Sequence, residues 1–88
     1  MVFEDETPVA WTVMPRHATV VGADGSELGT AESTLGDEAE DIFHGIVLRR
    51  AGGLFEVPAA HIKKITALHV VTDLMESDAP TLRPYRAS

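Results

Sequence analysis

No apolar stretch in this 88-residue chain exceeds six residues, and most are bounded by a turn containing glycine or proline. A bilayer-spanning helix needs about 20 consecutive apolar residues, and a long amphipathic helix needs a sustained 3.6-residue period. Short alternating runs between flexible punctuation suit strands instead. Length adds a second bound, because a chain this short has room for one hydrophobic core. Such a domain is stabilised by only about 4 to 13 kcal/mol, so surface shared with a second subunit would matter to it.

Residues 18–21 are rich in β-branched side chains and lead into the turn Ala23-Asp24-Gly25-Ser26. Asp-Gly favours a tight hairpin because glycine has no Cβ to resist positive φ. Residues 27–35 form the expected second strand, where Gly29 and Ala31 leave space for a bend or for another backbone to approach. The acidic run 36–41 reads as a solvated connection. Residues 42–49 follow as a third strand, apolar on both faces and therefore covered on both. The pair Gly52-Gly53 predicts a second hairpin into a short strand at 54–57, ended by Pro58. One helical turn fits residues 58–64, a fifth strand fits 65–71, and a short helix can begin at Thr72 before Pro80 stops it. The expected fold class is mainly β, a small closed or partly open barrel of five to six short antiparallel strands with one helical turn and a short C-terminal helix. Residues 1–13 read as an N-terminal arm or edge strand, 14–76 as the barrel domain, and 77–88 as a tail that is either disordered or laid against the body.

Seven Lys and Arg face fourteen Asp and Glu, a net charge of −7 that repels phosphate backbones and anionic lipid. Direct nucleic-acid binding is therefore not expected, nor is a membrane span. All fourteen acidic residues precede Pro80, whereas Arg83 and Arg86 follow it. Without cysteine there is neither a disulfide nor a thiolate metal site, and the acidic start at Glu4, Asp5 and Glu6 has the wrong charge for a secretory n-region. The expected location is cytoplasmic.

The order of these features resembles the PRC-barrel family. The residues that carry the likeness are Met14, Val20-Val21, Asp24-Gly25-Ser26-Glu27-Leu28-Gly29, Gly45-Ile46-Val47-Leu48-Arg49, Gly52-Gly53, Phe55-Glu56-Val57-Pro58 and the stretch 62–71. The resemblance implies a compact β-barrel used for assembly and for contact with other proteins or RNA-protein complexes, with no shared catalytic or cofactor site. The arm bearing Trp11 and the acidic loop at Asp37, Glu38, Glu40 and Asp41 depart from the family pattern.

The four histidines, His17, His44, His61 and His69, are the only side chains that titrate near neutrality or suit a transition metal, and none lies in a ligand motif. His44 and His69 would approach each other if the third and fifth strands faced one another. The acidic loop lacks the calcium-loop spacing. The serines occupy no nucleophile elbow, and Gly22, Gly25 and Gly29 are spaced as turn glycines. No catalytic residue, cofactor or metal is expected, and the chain is read as a non-enzyme. Trp11, Met14, Phe43 and Phe55 are the candidate interface anchors, with Phe43 and Phe55 better suited to the core. The expected role is an assembly or adaptor module that binds another protein and itself, as a homodimer; the alternative is a small-ligand or metal-binding protein that uses the histidines and acidic residues.

Overall fold

The computed structural model describes residues 7–86 of the chain, so the acidic start at Glu4, Asp5 and Glu6 lies outside it. Six strands form one mixed sheet: β1 (Thr19–Val21), β2 (Glu27–Asp37), β3 (Ile42–Arg50), β4 (Gly53–Pro58), β5 (Ile62–Ile65) and β6 (His69–Thr72). Their order is β4-β3-β2-β1-β6-β5, and no hydrogen-bonded ladder joins β4 to β5 to close the sheet. The radius of gyration, 12.0 Å, matches the roughly 12 Å of a single compact body of this length.

The first turn forms because Asp24 Oδ1 accepts hydrogen bonds from the Ser26 amide at 3.0 Å and the Ser26 hydroxyl at 2.6 Å, while Gly25 takes a φ of 83°. In the hairpin between β3 and β4, Arg50 pairs with Gly53, so the two central residues are Ala51 (φ 52°) and Gly52 (φ 79°). A two-residue turn of this twist needs positive φ at both positions, which moves the left-handed pair one residue earlier than the two glycines suggest and leaves Gly53 to open β4. The close approach expected at Gly29 is present: a Cβ there would collide with the Arg49 carbonyl oxygen and lie 2.9 Å from Leu48 Cδ1.

Three expectations are corrected. The strands are not all antiparallel, since β1 runs parallel to β6 in the register Thr19 to His69 and Val21 to Val71. The expected fifth strand is two strands, because the Thr66 hydroxyl accepts from the amides of Leu68 (3.1 Å) and His69 (2.9 Å) and folds a turn into the apolar run. Thr72 caps no helix: it ends β6, donates its hydroxyl to the Val21 carbonyl at 3.0 Å and accepts from the Leu74 amide at 3.2 Å. The C-terminal helical element is instead a 3-10 helix over Glu76–Thr81 that contains Pro80, with the Asp78 carboxylate accepting from the Met75 amide at 2.9 Å. The helical turn after Pro58 is shorter than expected, a 3-10 turn at Ala59–His61.

Alternation explains the core. Val20, Leu28, Ala31, Ile46, Leu48, Val57, Ile65, Val70 and Leu74 point into one buried cluster. Val47, between Ile46 and Leu48, is also buried, so β3 is covered on both faces as its composition requires. Burying such side chains contributes about 1.5 to 3 kcal/mol each against the entropy of ordering the chain.

Both ends of the sheet are covered by the chain's own terminal segments. Beside β5, Val9 donates to the Ile65 carbonyl at 2.7 Å and Pro8 bridges Thr66. Beside β4, Glu56 donates to the Arg83 carbonyl at 2.8 Å and Tyr85 to the Leu54 carbonyl at 2.9 Å, with Pro84 bridging Phe55. Residues 83–85 therefore run along the free edge of β4. Proline at each place withholds an N–H and blunts the edge against further pairing.

Candidate functional site

Within the N-terminal arm, Trp11–Val13 forms a 3-10 turn. Pro8 and Pro15 bracket it and deny it a continuous ladder. Trp11 stacks on Phe43 of β3 with ring centroids 5.3 Å apart and planes inclined by 27°. Its indole N–H donates to Asp41 Oδ1 at 3.0 Å, tying the arm to the acidic tip of the β2–β3 hairpin. Trp11, Met14 and Phe43 are partly buried against the core cluster, while Val13 (62%) and Ile42 (41%), their sequence neighbours, are exposed. Three of the four anchor candidates thus pack against the core, two of them on each other. Phe55 is half-buried on β4, opposite Leu48 and Pro84.

A cavity of about 480 Å³ opens between β4, the Ala59–His61 turn and the C-terminal segment, lined by Glu56, Pro58, His61, Leu74, Asp78 and Arg83 among others. His61 lies at its wall with Nδ1 2.9 Å from Asp73 Oδ1. That contact assigns the Nδ1 proton to the bond with Asp73 and leaves Nε2 as an acceptor in the neutral ring. Thr81, also in the lining, donates its hydroxyl to the Asp78 carbonyl at 2.6 Å. The cavity is thus lined by a histidine and by carboxylates, with its one hydroxyl proton already committed.

A second charged group lies near the base of the β2–β3 hairpin. Glu32, its side chain 12% exposed, accepts from Arg49 Nε at 2.7 Å, with Arg16 at 3.8 Å and His17 Nδ1 at 3.4 Å. The hydrogen bond from Arg49, with the positive charges of Arg49, His17 and Arg16, holds the Glu32 carboxyl below its ordinary value of 4.5, and the Arg49 guanidinium is raised in return. The Ser26 bonds likewise lower Asp24.

The remaining histidines are apart. His44 on β3 and His69 on β6 are separated in the sheet by β2 and β1, so the approach expected of them does not occur. Among the described residues no group of three or more His, Cys, Asp or Glu side chains is placed to hold a metal ion. In the acidic loop, Asp37 Oδ1 accepts from the amides of Ala39 (3.0 Å) and Glu40 (3.4 Å), so this carboxylate builds the turn. No described helix is long and apolar enough to cross a membrane.

Sequence reading missed the Glu32 cluster and the His61–Asp73 pair. Their members are brought together by strand register and chain reversal across separations of 12 to 17 residues, which no local spacing signals. No family model matches the chain, and no curated protein matches it.

Proposed function

We propose that this chain is a non-catalytic module of the PRC-barrel type, its sheet rolled towards a closed barrel, that works in the cytoplasm by binding another protein and by associating with itself as a homodimer. The observation that carries this reading is the Trp11–Phe43 stack on the hairpin, with Val13 and Ile42 exposed beside it. Aromatic side chains half-buried beside exposed aliphatics are the usual material of an interface core.

The test is native mass spectrometry and circular dichroism on the full chain and on a variant lacking residues 1–13. The full chain is expected at multiples of 9.5 kDa with no added mass, and the shortened one as a monomer with its β spectrum intact. Equal association by both would remove the arm from the interface.

A second reading rests on the 480 Å³ cavity, whose Glu56, His61, Asp78 and Arg83 supply both charges to a small polar ligand. It predicts a melting temperature that rises with ligand concentration in a panel of small polar metabolites, and a flat response across that panel counts against it.

A further inference from the structure

The β2–β3 hairpin carries opposite charge at its two ends. At its tip, Asp37, Glu38, Glu40 and Asp41 are all exposed. Near its base, Arg16 (74% exposed), His17 (59%) and Arg49 (51%) surround the single carboxylate of Glu32, which leaves an outward-facing positive excess on an otherwise acidic molecule. Along β2, Glu32 and Asp37 are about 16 Å apart at the usual rise per residue.

Between these two ends runs a stretch of β2 with no second neighbouring strand, its Thr34 and Leu35 half-buried and its Ser33, Gly36 and Asp37 exposed. β1 pairs with β2 only as far as Thr30, and residues 17–18 satisfy Ala31 alone, through His17 N–H to the Ala31 carbonyl (2.7 Å) and Ala31 N–H to the Ala18 carbonyl (2.9 Å). Among the described residues no backbone hydrogen bond outside the β2–β3 ladder reaches residues 33–37. The segment Ser33-Thr34-Leu35-Gly36 contains neither lysine nor proline, whereas both ends of the sheet are covered by proline-bearing chain, and the register irregularities at Ala31/Ser33 and Leu35/Gly36 limit regular pairing here to a few residues.

We infer that residues 33–37 are a docking edge for the same edge of a second copy of this chain. Two β2 strands meeting antiparallel about a two-fold axis near Leu35 place the acidic tip of each hairpin over the Arg16–His17–Arg49 base of the other, so the tip-to-base contact forms twice. The main chain supplies the pairing, and the charges select the antiparallel orientation. A stretch this short buries little surface, so the dimer is weak and sensitive to salt. The inference rests on the self-associating role proposed above and adds a strand contact to that of the arm, whose Trp11 holds the acidic tip through Asp41.

Sedimentation velocity across protein concentration and salt tests it on the full chain, on Arg16→Glu and on the double variant Glu38→Lys with Glu40→Lys, all at exposed positions. Wild type is expected to dimerise, with a dissociation constant that rises about tenfold or more from 50 to 500 mM salt. Each charge-reversed variant alone is expected to stay monomeric at concentrations where wild type is dimeric. An equimolar mixture of the two variants should regain a one-to-one dimer, because one half-site is then wild type and the other has both charges reversed. Variants that dimerise as wild type does, or a mixture that stays monomeric, would overturn the hairpin assignment and leave self-association standing. A wild-type chain that is monomeric throughout would overturn both.

Discussion

Glu32 shows how one side chain can couple three distant parts of the sequence. Its carboxylate is held below the ordinary value by Arg49 first, then by His17 and Arg16, so it stabilises the fold in its charged form. The sign follows from linkage: a carboxyl lowered on folding contributes above its unfolded value, and the contribution is lost as pH falls through the folded one. Glu32→Gln should therefore be less stable than wild type by a constant margin above about pH 4.5, and the margin should shrink on further acidification. Urea unfolding of both proteins from pH 3 to 7 measures it, and a margin independent of pH would dissociate Glu32 from acid stability. Ala51 raises a different issue, since it occupies a left-handed conformation at φ 52° that asparagine adopts more readily. Ala51→Asn creates the Asn-Gly pair preferred in this turn and is expected to raise stability by about 0.5 to 1 kcal/mol, seen as a higher midpoint in denaturant.

At the scale of elements, the turn between β5 and β6 depends on one buried hydroxyl. Thr66 is 1% exposed and holds the amides of Leu68 and His69. Thr66→Val keeps the shape but leaves those amides short of an acceptor, a cost of about 1 to 3 kcal/mol, with faster hydrogen exchange at both amides as its local signature. The same threonine explains why this hairpin was not legible in the sequence. Turn chemistry carried by glycine stood out, and Asp24-Gly25 and Gly52 marked two of the other three hairpins within a residue. A threonine inside an apolar run has high strand propensity, and only tertiary burial reveals that its hydroxyl is bent back on the main chain. The aromatic patch was partly legible, because Trp11 stood outside the strand pattern, although its partner Phe43 could not be read from a position 32 residues away. The Glu32 cluster was not legible, for its members sit at positions 16, 17, 32 and 49 and meet only after β2 and β3 pair.

For the molecule as a whole, the local pattern specified strands and turns but not the pairing that joins the two halves. β1 to β4 are neighbours in sequence and lie side by side, as a meander does, and β5 pairs with β6 through the Thr66 turn. The two groups are joined in the sheet by the parallel contact of β1 with β6, where Thr19 meets His69 and Val20 meets Val70. Thr72 fastens this junction from the side through the Val21 carbonyl. Nothing within either segment encodes its partner except the demand that Val20 and Val70 both be buried.

That junction has a consequence for synthesis on the ribosome. Residue 19 must wait for residue 69 to emerge before it gains its parallel neighbour, an interval of about 3 to 10 seconds at ordinary elongation rates. The meander can assemble in that time from contacts closed by short loops, which form in well under a millisecond. Throughout the interval one side of β1 has no native partner, and the nascent chain is then open to pairing with strands of neighbouring polypeptides. The closing step of folding is thus set by the order of translation, with the last strand made completing the seam left by the first.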